Sequence, residues 1–448
     1  MPKVLSRMPP GPRGLPLLGV TLDLRRDPLG FLRRVAREYG DVVYFPLFLQ
    51  GRVLLGYPDD IEQVLVVQQQ KFHKGRLMKE ATHRVLGQGL LTSESEFWRR
   101  QRRLVQPAFQ RPRITDYAPV VVELAGAHIE TWSDGEARDL VEEMLQITMS
   151  IAVKTLFGLE LKEEAVAIGQ ALTTVTRYEM RRLRSPFHVP VNLPTKMRRH
   201  AEKAYQFLDS VVYGIIAERR AHHEQGSDLL SKLINATDED GTQMTPRQLR
   251  DETMTILLAG YETTALTLSW LWYLLGENPR TELCLHDELG HVLAGRLPSL
   301  EDLERLPYLD GVIKETMRLY PPAYILGRTA IEPFGIGAYF FPAGTTVLMS
   351  QWVVHRDPRF FTDPLVFRPE RWLNGLGERL PAFAYFPFGG GPRRCIGQGF
   401  GLMEAALVAA TLAQRYRFRP VPDHLVVPEP LVTLRPKHGI CMTVHARA

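Results

Sequence analysis

The distribution of apolar residues predicts that most of the chain is helical. Between residues 98 and 220, stretches such as "MLQITMSIAVKTLFG" and "AYQFLDSVVYGIIAERR" carry apolar residues three and four positions apart. This spacing places the apolar side chains on one face of an α-helix. A last helix is predicted over roughly Gly397 to Tyr416.

A longer helix is predicted in the second half of the chain. Thr245 is a candidate N-cap residue with Pro246 at the first helical position, and Pro279 marks the end. The part from Thr253 to Leu275 is apolar enough to suggest a membrane span, but Glu262 interrupts it. Since a charge in the middle of a bilayer is costly, we interpret this segment as a buried central helix.

Signals for β-strands are few and short. Near the N-terminus, "DVVYFPLFLQGRVLLGY" predicts two strands around a turn at Gln50-Gly51, and β-like pieces lie between residues 325 and 349. No fixed-period repeat or low-complexity linker divides the chain. We therefore expect a mainly α, single-domain fold over residues 1–448, with a small β part and a Pro-rich segment at residues 1–20.

Composition and charge narrow the class of protein. The 448 residues are 45% hydrophobic and 23% charged, as in ordinary globular proteins. The net charge of +5 comes from Lys and Arg interspersed with acids, which favours an acidic partner protein over a nucleic acid. "MPKVLSRMPPGPRGLPLLGV" lacks the apolar core of a signal peptide or membrane anchor. Cys284, Cys395 and Cys441 are too few for a disulfide framework, so a cytoplasmic location is expected.

The segment "FPFGGGPRRCIG" holds the most distinctive chemistry. Cys395 precedes the last predicted helix, whose N–H groups and dipole favour a thiolate. Gly389, Gly390 and Gly391 allow the backbone to approach a flat, bulky group where a Cβ atom would collide. Arg393 supplies a cation suited to a carboxylate. A thiolate, a backbone that allows a flat group to approach closely and a cation that can bind a carboxylate are together the features expected of a haem bound through cysteine.

Other interpretations of this segment stay open on the residues alone. A phosphate-binding loop would need the Lys-Ser/Thr pair that "GGGPRRCIG" lacks, and "GQGFG" lacks the preceding strand of a dinucleotide-binding fold. A cysteine nucleophile would need a neighbouring histidine, which the sequence cannot place beside Cys395. A structural cysteine in a glycine turn is the remaining alternative.

The segment resembles the haem-binding signature of the cytochrome P450 superfamily. The signature residues are Phe388, Gly391, Arg393, Cys395 and Gly397. The resemblance runs from "PPGPRGLPLLG" to the final helix and implies the helix-rich cytochrome P450 fold. It also implies a non-covalent haem b with the Cys395 thiolate as its iron ligand. Many soluble bacterial members have histidine where this chain has Arg393, so it looks closer to fatty-acid-hydroxylating and microsomal-like branches.

Two further motifs match the family. "KETMRLYPP" contains Glu315 and Arg318, and the resemblance adds Arg371 of "FRPERW" as the third member of a buried structural cluster. The same Glu-x-x-Arg spacing at Glu96 and Arg99 is interpreted as a solvated helix pair.

"AGYETTA" matches the oxygen-activation segment of the family. By this resemblance Gly260 leaves room for O2, and Glu262 with Thr263 serves as the catalytic pair that relays protons. The Thr263 hydroxyl can bond a carbonyl group one turn earlier on the helix. Members that bind haem through an ester have glutamate where this chain has Ala259, so a covalent haem is not expected.

Four residues are expected to reach the haem propionates by resemblance. Trp98 and Arg102 lie one turn apart in "EFWRRQRR", Arg393 lies in the cysteine segment, and Arg328 lies in "ILGRTA". Four further arginines are interpreted as exposed surface cations, with docking of an acidic electron donor as the alternative: Arg99, Arg100, Arg103 and Arg394.

The resemblance predicts a monooxygenase that inserts one oxygen atom into a lipophilic substrate. No flavin or ferredoxin module fits in the remaining length, so we expect electrons from a separate ferredoxin with its reductase or from another reductase. A peroxide-driven hydroxylase is an alternative that the Glu262-Thr263 pair disfavours. A haem-thiolate sensor or carrier without turnover is a second alternative.

Family analogy also suggests where the substrate would lie. The expected lining is apolar, which favours a fatty acid, a terpenoid, a carotenoid or a macrolide-like molecule without choosing among them. The candidate pocket residues are Leu257, Leu258, Tyr324, Ile325 and Leu326.

Overall fold

The computed structural model describes residues 8–48, 50–75, 82–158, 162–184, 195–222 and 228–447. The first seven residues of the predicted Pro-rich segment therefore lie outside the described residues. The helices are α1 (Thr21–Arg26), α2 (Pro28–Tyr39), α3 (Pro58–Glu62), α4 (82–86), α5 (Ser95–Val105), α6 (Arg111–Ile129), α7 (Leu140–Phe157), α8 (Lys162–Arg184), α9 (Lys196–His222), α10 (Leu229–Asn235), α11 (Pro246–Glu277), α12 (Pro279–Leu293), α13 (Pro307–Leu319), α14 (Gln351–Val354), α15 (Glu370–Leu373), α16 (Leu376–Arg379) and α17 (Gln398–Arg415).

The strands are short, and the fold is mainly α, as expected. They are β1 (Val42–Leu47), β2 (Gln50–Leu55), β3 (Phe72–Lys74), β4 (Ala137–Asp139), β5 (Leu326–Ala330), β6 (Phe334–Ile336), β7 (Tyr339–Phe341), β8 (Thr346–Met349), β9 (Tyr416–Pro420), β10 (Pro428–Pro430), β11 (Leu434–Pro436) and β12 (Cys441–Ala446).

The chain forms two compact units. The first comprises residues 1–76, 311–395 and 428–435, and the second comprises residues 77–310, 396–427 and 436–448.

The first unit is built on a five-stranded sheet in the order β1-β2-β8-β5-β3. The β2–β8 pair is parallel and the other three pairs are antiparallel. The predicted turn at Gln50-Gly51 is wrong, because both residues lie inside β2, opposite Leu47 and Pro46. β1 ends at Leu47, and Phe48 directly after it has a φ of 52°. Pairing with β1 therefore extends β2 through a sequence that is typical of a turn.

The second unit is dominated by α11, which is 32 residues long. Its N-terminus has a reciprocal cap. The Thr245 hydroxyl accepts from the Gln248 N–H at 3.2 Å, and the Gln248 side chain accepts from the Thr245 N–H at 2.8 Å. Helices α7, α9, α10, α12 and α17 pack against α11. Most of α11 is buried, which explains why its sequence is apolar around its circumference rather than on one face.

A three-stranded sheet in the order β4-β12-β9 completes the second unit. Both pairs in it are antiparallel, and the ring of Phe418 on β9 contacts Trp272 of α11, with ring centroids 4.7 Å apart. Within the described ranges of the chain, no helix is long and apolar enough to cross a membrane.

Candidate functional site

The cysteine segment makes a tight turn in the first unit. Gly389 and Gly391 have φ angles of 70° and 64°, a region that favours glycine. A Cβ atom on Gly391 would lie 1.9 Å from the carbonyl oxygen of Leu65, so a side chain there would displace the turn. The Cys395 N–H donates to the Phe388 carbonyl oxygen at 3.0 Å. The turn leaves Cys395 exposed, with Arg393 half-buried two residues before it.

His355 holds the start of this segment and is a residue that the sequence analysis missed. Its Nε2 atom accepts from the N–H of Phe386 at 3.0 Å, and the side chain is fully buried. Burial lowers the pKa of His355 well below its usual value, and the charges of Arg318 and Arg356 add to this effect. The imidazole is therefore neutral and can act as the acceptor. Its position in "HRDP", far from the cysteine in sequence, carried no signal of this contact.

The Glu315 carboxylate is the centre of a buried ion-pair cluster in the first unit. Arg318 donates to both of its oxygens at 2.8 Å, and Nε of Arg371 donates to Oε1 at 2.9 Å. Glu315 and Arg318 are fully buried. The guanidinium group of Arg318 also donates to the carbonyl oxygens of His355 and Pro364. The arginine thereby ties α13 to the chain that leads to the cysteine segment.

Two further donors to Glu315 were not predicted. The indole N–H of Trp372 donates to Oε2 at 2.9 Å, and the backbone N–H of Arg368 donates to Oε1 at 3.0 Å. Each carboxylate oxygen thus accepts several hydrogen bonds, which offsets the cost of burying its charge. Trp372 follows Arg371 directly in the sequence, so its adjacency to a predicted cluster residue was the available signal.

The middle of α11 carries the predicted oxygen-activation segment. Ala259 is exposed and Thr263 is half-buried, although most of α11 is buried. A Cβ atom on Gly260 would meet no atom of the described chain within 4 Å. The Thr263 hydroxyl donates to the Ala259 carbonyl oxygen at 2.6 Å, and Glu262 is buried at 4% exposure. Open space therefore lies beside α11 where these residues occur.

Glu404 of α17 is a second residue that the sequence analysis missed. It is buried against α11, and it is hydrogen-bonded to Thr264, the neighbour of Thr263. Burial raises the pKa of Glu404 to about 8, and the bond from Thr264 opposes this shift. The carboxyl group is therefore protonated at neutral pH. The sequence signal that could have identified Glu404 is a single acid in "GLMEAALVAA", which is otherwise apolar.

The predicted propionate-binding residues occur on separate elements. In the second unit, Trp98 and Arg102 lie one turn apart on α5, and both are half-buried. In the first unit, Arg328 lies on β5 and is half-buried, and one of its Nη atoms donates to the Gly327 carbonyl oxygen at 2.9 Å.

Three of the arginines interpreted as surface cations form ion pairs in the second unit. Arg99 pairs with Glu96 on the same helix. Arg100 pairs with Asp238 at 2.6 Å, and Arg103 pairs with Glu239 at 3.7 Å. Arg394 is exposed in the first unit.

The candidate pocket residues are found in different environments. Leu257 is buried at 1% exposure in the apolar core of the second unit, and Leu258 packs at its edge. In the first unit, the Tyr324 hydroxyl donates to the Leu431 carbonyl oxygen at 2.9 Å. Ile325 and Leu326 are half-buried and pack on two other apolar clusters of that unit. Leu258 therefore presents more surface to a ligand than Leu257 does.

The described residues contain no group of three or more His, Cys, Asp or Glu side chains that could hold a metal ion. All three cysteines are among them, and no disulfide joins any two.

Comparison with known proteins agrees with these features. The cytochrome P450 family model matches residues 9–442. Cyclooctatin synthase of Streptomyces melanosporofaciens is 38% identical over 426 residues, which cover 94% of this chain and 92% of that protein. Cyclooctat-9-en-7-ol 5-monooxygenase of the same organism is 37% identical over 92% of this chain and 89% of its own.

A third relative and a solved structure extend the comparison. Pentalenene oxygenase of Streptomyces avermitilis is 32% identical over 97% of both chains. The structure of retinoic-acid-bound cyanobacterial CYP120A1 superposes with a TM-score of 0.88 at 26% identity, covering 99% of this chain and 100% of that one. The protein therefore belongs to the cytochrome P450 family and is an oxidoreductase of the monooxygenase class.

Proposed function

We propose that this cytochrome P450 binds a non-covalent haem b through the Cys395 thiolate and hydroxylates a cyclic terpenoid. The observation that carries the proposal is the exposed thiol of Cys395 at the end of a turn that only glycine permits. A bound haem iron with a thiolate ligand supplies the binding and cleavage of O2. The residues of the chain supply orientation, protons and the exclusion of water.

The chain's residues fit this group. Cysteine at the start of a helix favours the thiolate, because the first N–H groups of the helix are not bonded within it. The positive φ angles of Gly389 and Gly391 form the turn that leaves the Cys395 side chain exposed. Arg102, Arg328 and Arg393 are all half-buried guanidinium groups, which suit the two carboxylates of haem. Trp98, on the same helix face as Arg102, adds an indole N–H donor.

Thr263 and Glu262 are the residues that we assign to proton transfer. The Thr263 hydroxyl donates to a backbone carbonyl in the helix, so its oxygen can accept a hydrogen bond from water in the open space beside α11. The Glu262 carboxyl is next to it in sequence and is almost fully buried, so it is the acid that we pair with Thr263 in this role. Thr263 Oγ1 would then hold a water molecule or a proton at the edge of this space.

The terpenoid substrate is inferred from the relatives. Two of them carry cyclooctat-9-en-7-ol and pentalenene in their names as the molecules they act on. The apolar surroundings of α11, with Leu258 and Leu91 at the edge of the core, suit such a molecule. Electrons would come from a separate ferredoxin and its reductase, or from another reductase.

Two measurements on the purified holoenzyme test this function. The first is the carbon-monoxide spectrum of the reduced protein, compared between wild type and Cys395→Ala. The second is turnover of a panel of cyclic terpenes with a surrogate ferredoxin, its reductase and ¹⁸O2. We expect the thiolate spectrum to disappear in the variant, and one ¹⁸O atom to enter each product molecule.

Three outcomes would contradict the proposal. An unchanged spectrum in Cys395→Ala would show that another residue binds the iron. Product formed with hydrogen peroxide but not with O2 and donor proteins would identify a peroxide-driven hydroxylase. Turnover of fatty acids with no terpene oxidised would overturn the substrate assignment alone.

A further inference from the structure

Two carboxyl groups of α11 bind the backbone of a loop that lies far away in sequence. Asp251 Oδ2 accepts from the N–H of Gln88 at 2.9 Å. Glu252 Oε2 accepts from the N–H of Leu90 at 3.0 Å. Both acids are buried, and Glu252 is only 1% exposed. The loop of residues 87–92, called the latched loop below, is therefore attached to the second turn of α11 by side chains.

The latched loop approaches α11 more closely than any side chain would allow. A Cβ atom on Gly87 would lie 2.1 Å from the carboxylate of Asp251. A Cβ atom on Gly89 would lie 2.1 Å from Oγ1 of Thr255 and 2.6 Å from the carbonyl oxygen of Asp251. Since the latter is a backbone atom, the loop would have to move. Glycine at these positions is what permits the contact.

The attachment is part of a larger buried network in the second unit. Arg250 donates to the Val85 carbonyl oxygen at 2.7 Å and to Asp251 at 3.0 Å. It also donates to Asp209 of α9 at 2.8 Å. The Thr92 hydroxyl closes the loop by donating to the Gly87 carbonyl oxygen at 2.7 Å. Three separate parts of the chain thus meet at residues 250–252.

The latched loop shares an apolar cluster with the residues of α11 that directly precede its open part. Leu90 and Leu91 pack in the same apolar cluster as Leu257 and Leu258. Glu252 precedes the exposed Ala259 by seven residues, nearly two helical turns, so both lie on one face about 10 Å apart along the axis. A ligand beside Ala259 would therefore lie next to this cluster, and a shift of the loop would change the apolar surface that the ligand meets.

We infer that Glu252, assisted by Asp251, is a positioning residue that sets the substrate range of the enzyme by fixing the latched loop against α11. The inference rests on the proposed function, because it assumes that the substrate occupies the space beside Ala259. Glu252 does not touch the substrate in this arrangement. It acts through the backbone of Leu90, and so through the two leucines of the loop.

The protonation of Glu252 decides which substitution is conservative. Its pKa is raised to about 8, mainly by burial and also by the Asp251 charge, while the hydrogen bond from the Leu90 N–H opposes this shift. The other charged groups of the network are Arg250 and Asp209. A neutral carboxyl group still accepts the Leu90 bond through one oxygen. Glutamine reproduces that oxygen and the neutral charge, whereas alanine removes both.

The experiment compares four holoenzyme variants with wild type. Glu252→Ala removes the acceptor, and Glu252→Gln keeps it. Gly89→Ala breaks the contact from the loop side. Thr253→Val is the matched control, because Thr253 is buried in the same turn and its hydroxyl has no hydrogen-bond partner in the described structure.

Two readouts are measured for each variant. Amide hydrogen exchange at residues 87–92 reports the attachment itself and does not depend on the bound cofactor or on turnover. Binding of dodecanoic acid, geraniol and geranylgeraniol, followed by the haem spectral shift, reports the order of preference among ligands.

We expect exchange in the loop to be about tenfold faster in Glu252→Ala and Gly89→Ala, with the Kd ratio of the small to the large ligand changed by about fivefold or more. Glu252→Gln and Thr253→Val should resemble wild type in both readouts. The inference is overturned if Glu252→Ala keeps wild-type exchange, or if exchange rises while the ligand order is unchanged. A wild-type protein that shows no thiolate spectrum would instead refute the proposed function. In that case, hydrogen exchange at residues 87–92 would still test whether Glu252 attaches the loop to α11.

Discussion

The Thr263 hydroxyl oxygen lies 2.6 Å from the carbonyl oxygen of Ala259, four residues earlier on α11. This bond competes with the regular helical bond to the same carbonyl group. It occurs where Ala259 is exposed and a Cβ atom on Gly260 would meet nothing within 4 Å in the described structure. The hydroxyl is therefore oriented at the edge of the open space rather than packed in the core.

Replacing Thr263 with alanine tests its role in proton transfer. We expect product formation to fall by about tenfold to a hundredfold, because the hydroxyl that passes the proton is lost. Donor oxidation should continue, with oxygen leaving as hydrogen peroxide instead of entering the product. The measurement is the yield of product and of peroxide per electron supplied. Thr263→Ser keeps the hydroxyl and should retain most of the coupling, so equal losses in both variants would contradict the assignment.

Two Glu-x-x-Arg pairs with the same spacing are predicted to differ in their contribution to stability. Glu315 and Arg318 are fully buried, whereas the side chains of Glu96 and Arg99 are 81% and 56% exposed. Glu315→Ala should lower the free energy of unfolding by about 3–5 kcal/mol, since it leaves buried guanidinium groups without their carboxylate. Glu96→Ala should lower it by less than about 0.5 kcal/mol.

Denaturant unfolding of both variants measures this difference. The Glu96 pair is the control for the loss of a glutamate at this spacing. Similar losses of unfolding free energy in the two variants would show that burial does not determine how much the Glu315 cluster contributes to stability. High salt should change the stability loss of Glu315→Ala only slightly, because buried ion pairs are weakly screened.

The protonation of Glu404 predicts a pH dependence of stability. Its pKa is about 8 in the folded protein and about 4.3 for an unperturbed glutamate, so the folded state binds more protons between these values. The stabilisation is complete below about pH 4.3 and is lost as the pH rises toward 8. The loss is at most about 1.4 kcal/mol per pH unit for one group.

Glu404→Gln should remove this contribution. The decrease in unfolding free energy between pH 5.5 and 7.5 should be smaller in the variant than in wild type. The difference between the two decreases is the contribution of Glu404, because the other titrating groups are the same in both proteins. Denaturant unfolding at several pH values measures both profiles. Parallel profiles would mean that Glu404 is ionised in the folded protein.

Much of the candidate site was predictable because its motifs are local in sequence. Cys395 with its glycines, the Glu262-Thr263 pair and the Glu315-Arg318 pair each lie within one short segment. Helical spacing also predicts the bond from Thr263 to Ala259, since residues four apart meet on one face. The cap at Thr245 and the length of α11 were predictable for the same reason.

Contacts between distant segments were not predictable in this way. Nothing in "HRDP" indicated that His355 accepts from the Phe386 N–H. Glu252 binds Leu90 across 162 positions of the chain. At Gln50-Gly51, a sequence typical of a turn lies in a strand, because pairing with β1 outweighs the local preference of the chain.

The sequence by itself determined the kinds of chemistry available: a cysteine before a helix with an arginine two residues ahead of it, and an acid beside a threonine in an apolar helix. Only the tertiary structure decided which acids are buried, which remain exposed and which hold the backbone of another segment. The physical reason is that desolvation and hydrogen bonding depend on the atoms that surround a group, and most of these come from elements far away in sequence.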